Sequence, residues 1–152
     1  MTRRLALPLL VLALLAGCSS GPSRTPSTNV GNKAAETALT MVGKPYRYGG
    51  NSPRGFDCSG LVYYSYRHAG ASVPRSTEML WKYSDSVSTR SLRRGDLLFF
   101  HQEGKRYSHV AIYVGGSRFV HAPSSGKHVR TGSLENPYWR EHFAGARRPN
   151  IY

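Results

Sequence analysis

Apolar and polar positions change their spacing once in the body of this chain. Ala34 to Val42 is short and helix-favouring and stops at Gly43, and Gly49-Gly50-Asn51-Ser52-Pro53 is loop chemistry. From Cys58 to His68 the spacing puts Leu61, Tyr64 or Ser65, and His68 on one face, with Val62, Tyr66 and Ala69 beside it. Gly70 then stands where a helix C-terminus wants glycine, which predicts a helix. A second helix is expected over Ser76–Tyr83, after Pro74. Beyond it the pattern turns to strands at Asp96–Phe100, Ser108–Val114 and Arg118–Ala122, with weaker candidates at Val129–Thr131 and Phe143–Arg147. Gly115-Gly116 is a hairpin signal. Helices first and an antiparallel sheet afterwards predict an α+β fold.

The front of the chain follows another pattern. Arg3 and Arg4 precede an apolar run, Leu5 to Ala16, broken only by Pro8, and Leu15-Ala16-Gly17-Cys18 follows. A charged start, a short apolar core and small residues at the cut describe a secretory signal peptide over 1–17. Leu-Ala-Gly-Cys resembles the lipobox of bacterial lipoproteins. That resemblance implies cleavage before Cys18, a lipid on its thiol, and membrane attachment through that anchor. Ser19, where an Asp would resemble an inner-membrane retention signal, points to the outer membrane, facing the periplasm. The stretch from Cys18 to Lys33 is rich in Ser, Thr, Pro and Gly and reads as a flexible tether. The folded domain is then expected over 34–152. No segment has the roughly 20 apolar residues of a membrane-spanning helix.

The 152 residues carry 21 Lys and Arg against 8 Asp and Glu, a net charge of +13. The basic residues are scattered, in no run longer than an adjacent pair such as Arg93-Arg94 or Arg147-Arg148. That argues for attraction to an anionic cell envelope and against nucleic acid. Two cysteines exclude both a disulfide scaffold and a cysteine-only zinc site.

Candidate chemistry lies at three places. In Phe56-Asp57-Cys58-Ser59-Gly60 a cysteine opens a helix, where unpaired amides and the helix dipole favour the thiolate. A buried small residue and a disulfide partner for Cys18 are the alternatives. His109 leads the apolar stretch Val110–Val114, and His121 lies across the Gly-Gly turn. A cysteine nucleophile needs a base, and the base needs a group to fix its tautomer. The two histidines oppose each other directly if residues 114–116 form a three-residue loop. A plain two-residue turn would send the rings to opposite faces. An odd-length turn or a bulge is therefore expected.

Tyr46-Arg47-Tyr48-Gly49-Gly50, Asp57-Cys58-Ser59-Gly60, Gly95-Asp96-Leu97-Leu98-Phe99-Phe100, Ser108–Tyr113 and Val120-His121-Ala122 together resemble, in order, the motifs of the NlpC family of papain-like cell-wall peptidases. The resemblance covers 34–152 and is closest to the family's short murein endopeptidase lipoproteins. It implies a papain-like fold, with N-terminal helices, the nucleophile at a helix start, packed on an antiparallel sheet. It implies Cys58 as nucleophile, His109 as base and His121 as the group orienting it. Tyr46 would offer its hydroxyl to the oxyanion, Asp57 and Ser59 would meet polar groups of the substrate, and Arg75 and Ser76 would lie on a substrate-side loop. No metal or cofactor is implied, and a monomer is expected. The implied substrate is the peptidoglycan stem peptide or its D-alanine–diaminopimelate cross-link. A catalytically inactive peptidoglycan-binding lipoprotein and a related Cys–His amidase are the competing readings.

Overall fold

The computed structural model describes residues 26–151, so the expected signal peptide, Cys18 and the first part of the tether lie outside the described residues. The chain runs through α1 (Pro26–Thr40), β1 (Asn51–Ser52), β2 (Gly55–Phe56), α2 (Cys58–His68), α3 (Thr77–Lys82) and β3 (Ser84–Val87). A 3₁₀ turn at Thr89–Ser91 leads to β4 (Leu97–Gln102), β5 (Lys105–Gly115), β6 (Arg118–His121), β7 (Arg130–Ser133), α4 (Pro137–His142) and β8 (Phe143–Pro149). The fold is α+β, with a six-stranded antiparallel sheet in the order β3-β8-β4-β5-β6-β7.

Period-two alternation in the central strands gives the sheet two apolar faces. Leu97, Phe99, Val110, Ile112, Val114 and Val120 pack with α1, α2 and α3 in the larger core cluster. Leu98, Phe100, Ala111, Phe119 and Ala146 face the other way, and Trp139 of α4 packs against them. The buried strand β4 is apolar on both faces because both are covered.

Helix α1 begins at Pro26, not at Ala34, so 26–33 of the stretch read as tether is helical. The reason is tertiary. Gly31 lies so close to the backbone of Arg94 and Gly95 that a methyl group there would crowd the Arg94 carbonyl, and Ala34, Ala35 and Ala38 are fully buried. In α2, the Asp57 side chain caps the start by accepting from the Gly60 amide at 2.6 Å. The end of the helix is tied down by Tyr66, whose hydroxyl donates to the Gly95 carbonyl at 2.6 Å. Ser76 is the N-cap of α3, accepting from Met79 N.

The β5–β6 hairpin meets the expectation by a bulge and not by an odd-length loop. Gly116 and Ser117, both at positive φ, form a two-residue turn, and a bulge at Val114 shifts the register. Ile112 pairs with Val120. Continuing that register sets Ala111 opposite His121, and His109 lies two residues along on the same face. The bulge therefore does what a three-residue loop was expected to do, with the histidines diagonal rather than directly opposed.

Candidate active site

Cys58 is the first residue of α2, and the preceding loop is folded onto that helix start. The Gly60 α-carbon lies against the Gly50 carbonyl so closely that any Cβ would collide with it. This contact holds the Tyr46–Gly50 loop beside Cys58. Asp57 accepts from Gly60 N, Ser59 Oγ and Arg75 Nη1 on Oδ1, and from Gly49 N and Arg75 Nη2 on Oδ2. Arg75 also donates to Ser59 Oγ at 2.9 Å and to the Gly50 carbonyl at 3.3 Å. The residues expected on the substrate side thus spend their polar atoms on one another, binding loop, helix start and the 71–76 segment into a single clamp. Ser76 is exposed and serves as the cap of α3.

The Cys58 thiol is half-buried. Burial pushes its pKa up, outweighing the Val110 amide, the Thr77 hydroxyl and the Ser59 amide, which all favour the thiolate. Thr77 Oγ1 lies 3.7 Å from Sγ. Sequence reasoning missed it, and only its place at the start of a helix after a Ser cap could have pointed there. Among the described residues no hydrogen bond joins Cys58 to His109 in the free protein. Both line one cavity of about 300 Å³, together with Tyr46, Gln102, Ser108 and Pro123. Burial, with the neighbouring Cys58 and Asp57 charges, raises the Tyr46 hydroxyl above its usual pKa, so it holds its proton as a donor.

On the other side of that cavity, His109 Nε2 and His121 Nδ1 are 2.8 Å apart. Both residues are about fully buried, at 2% and 1% exposure. Trp139 encloses them, stacked on His109 with centroids 5.8 Å apart and edge-on to His121 at 4.9 Å. Phe100 and Phe119 close the rest of the box. Burial lowers His109 to about 4. It also lowers His121 to about 3, assisted by the charges of His109, Arg130 and Lys127. The pair is therefore neutral at physiological pH, with a single proton between the two facing nitrogens.

The geometry brings together Cys58, His109, His121 and Tyr46, with Asp57, Ser59 and Arg75 behind the thiol. No group of three or more metal-ligating side chains occurs among the described residues. Of the other described histidines, His128 is exposed on the backbone bridge to Pro45, and the other three have local contacts. His68 meets the Tyr64 carbonyl and His142 the Tyr138 carbonyl, both within their helices, and His101 accepts from Tyr107 N.

Comparison with known proteins fits this arrangement. The NlpC/P60 family model matches residues 43–148. Murein DD-endopeptidase MepH of Escherichia coli strain K12 is 41% identical over 120 residues, which is 76% of this chain and 44% of that protein. Probable endopeptidase NlpC of the same strain is 36% identical over 153 residues, covering 95% of this chain and 99% of that one. A solved structure described as similar to a lipoprotein of the NLP/P60 family, from Staphylococcus aureus, is 39% identical with a TM-score of 0.69 over 79% of this chain and 41% of its own. This chain thus spans less than half of some relatives and nearly all of another. The chain belongs to the NlpC/P60 family.

Proposed function

We propose that this chain is a cysteine peptidase that hydrolyses peptide bonds in peptidoglycan, with Cys58 as nucleophile, His109 as base and His121 as its orienting partner. The observation that carries the reading is a helix-start thiol sharing a cavity with a buried histidine whose far nitrogen is engaged by a second histidine at 2.8 Å. For His109 to accept the thiol proton at Nδ1, its Nε2 must carry the other proton and donate it to His121 Nδ1. His121 then selects the working tautomer.

Attack of Sγ on the scissile carbonyl sends the thiol proton to His109 Nδ1 and forms a tetrahedral oxyanion. The Tyr46 hydroxyl, in the same cavity as Cys58, and the Cys58 amide would donate to it, and such donors are each worth roughly 3–4 kcal/mol. His109 returns the proton to the amine as the C–N bond breaks, leaving a thioester. Water, deprotonated by His109, then releases the acid and restores the thiol. In this reading Asp57, Ser59 and Arg75 act on the substrate through the loop and helix start they hold together. The names of the relatives support peptidoglycan as substrate. The Leu-Ala-Gly-Cys sequence supports a lipid on Cys18, and Ser19 after it supports placement at the outer membrane.

The test is digestion of purified peptidoglycan by the chain and by Cys58→Ala, with fragments resolved by mass. Cross-linked dimers converted to monomers by the wild type alone would establish a cysteine endopeptidase that opens cross-links. Shortened stems would keep the mechanism and move the cut to the glutamyl bond. Freed sugar–peptide bonds would show an amidase, and binding without cleavage by either chain would show a peptidoglycan-binding protein.

A further inference from the structure

The cavity holding Cys58 and His109 does not end at the histidines. It shares Gln102, Glu103, Pro123 and Ser124 with a second cavity of about 520 Å³, which adds Lys127, Arg130, Asn136 and Trp139. A third, of about 460 Å³, meets the second at Arg130, Asn136 and Trp139 and takes in His121. The result is a continuous groove leading from the thiol, past the histidine pair, to a basic end. Arg130 pairs directly across from His121 in the β6–β7 register, so it belongs to the same face of the sheet.

The charge of that end is unbalanced. The ion pairs among the described residues are Asp57–Arg75, Glu36–Arg94 and Asp96–Arg148, and none involves Lys127 or Arg130. Neither side chain donates a hydrogen bond within the described protein, and both are exposed. The acid in the groove is Glu103, which lines the Cys58 cavity with Lys105 and the second cavity with Lys127 and Arg130, so cations outnumber it along the groove. No acid lines the third cavity. The far end therefore presents Arg130 with Arg118 in the third cavity and with Lys127 in the second, beside the Asn136 amide and the Trp139 indole.

Which half of a substrate lies there follows from the proton transfer. His109 must deliver its proton to the leaving amine, so the amine half occupies the histidine side of Cys58. The groove to Lys127 and Arg130 runs along that side. We infer that Lys127 and Arg130 form a carboxylate-binding subsite for the amine half of the substrate, and so select peptides whose leaving half carries free carboxylates. This inference rests on the peptidase reading above. Diaminopimelate is such a group, since in a cross-link its reacting amine and a free carboxylate share one carbon. Guanidinium and ammonium groups make charge-assisted hydrogen bonds to carboxylates that a neutral amide does not reproduce.

The test uses the full chain and two peptides with the same scissile D-alanyl amide. The amine half bears free carboxylates in one peptide and carboxamides in the other. The expected result is a preference of about tenfold in kcat/KM for the carboxylate peptide, falling towards unity in the Lys127→Gln/Arg130→Gln double variant. Equal rates on the two peptides, or a preference that survives the double substitution, would overturn the subsite. Should the chain cut neither peptide, the peptidase reading fails separately, and the subsite is judged by binding. Calorimetry would then compare the two amine-half fragments on the Cys58→Ala chain, with and without the basic pair. About tenfold tighter binding of the carboxylate fragment, lost with Lys127 and Arg130, supports the subsite, and equal binding overturns it.

Discussion

On one side of Cys58, Asp57 and Arg75 are fixed by charge and by hydrogen bonds to three backbone groups; on the other, His109 and His121 are fixed among aromatic rings by one polar contact. The first side tolerates water, with the Arg75 side chain 35% and the Asp57 side chain 16% exposed. The second excludes it. The difference follows from what each group must do. Asp57 and Arg75 hold a loop and a helix start, and a bidentate pair keeps its geometry while both partners stay charged. In the proposed mechanism His109 must be uncharged to accept a proton, and burial among Trp139, Phe100 and Phe119 enforces that by penalising the imidazolium.

The largest effect separates the two sides by function. His109→Leu removes the proposed base and is expected to lower peptidase activity by at least about a thousandfold. The same change should help the fold in acid. Both buried histidines have folded-state pKa values below the ordinary 6.5, near 4 and near 3. As pH falls through 6.5 the unfolded chain takes up protons that the folded chain refuses, so stability drops from there to about pH 3–4 and then levels off. Urea unfolding between pH 7 and pH 4 measures this. The wild type should lose more stability over that range than His109→Leu, and identical slopes would mean the histidine box imposes no proton penalty.

Next comes the charged side. Asp57→Ala removes the cap of α2, the partner of Arg75 and the acceptor for Gly49 N together. A lost cap costs about 1 kcal/mol and a stranded partly buried hydrogen-bonding group about as much again, so about 2–3 kcal/mol is expected by urea unfolding at pH 7. The pH slope assigned to the histidines should not change. Substantial activity in a folded Asp57→Ala chain would show that the clamp is not needed to hold the thiol.

How much of this contrast the sequence displays also differs between the sides. Helix α2 was legible from its apolar spacing, with Gly70 beyond its end, and Asp57 stands where a cap belongs. The central strands follow from alternation in Leu97–Phe100 and Val110–Val114. By contrast β3, Ser84–Val87, has no apolar alternation to show, and it forms because β8 offers it an edge. Helix α4 is a single short piece started by Asn136 and Pro137, a readable cap, yet nothing in its residues says that Trp139 will cover a histidine thirty positions earlier. The bulge at Val114 is one of the two devices that a shared histidine face required, but periodicity does not encode which one forms or that the rings then sit diagonally. The Asp57–Arg75 pair spans eighteen positions, and it forms through packing of the 71–76 segment on α2.

A milder change on the histidine side sharpens the comparison. Trp139→Leu keeps an apolar cover but opens the stacked face of His109 to water. Partial solvation moves the imidazole back towards 6.5, so the acid limb of the activity profile should rise by about one pH unit, equivalent to 1.4 kcal/mol. A limb that stays in place would mean that Phe100 and Phe119 suffice to keep the pair dry.

The smallest effect is expected from Arg75→Lys. Lysine keeps the charge beside Asp57 but cannot reach both of its oxygens, Ser59 Oγ and the Gly50 carbonyl at once, as the guanidinium fork does. Because the Arg75 side chain is about one-third exposed, solvent screens most of what the pair contributes, and a loss below about 1 kcal/mol is expected. The two parts of that loss respond differently to salt. A charge contribution shrinks as ionic strength rises towards about 1 M, where screening acts over about 3 Å, whereas the loss of a fork that orients three partners does not. A stability difference between wild type and Arg75→Lys that persists in high salt would place the work of this side in hydrogen-bond geometry. One that vanishes would place it in charge, and the contrast with the neutral histidine box would then be one of electrostatics alone.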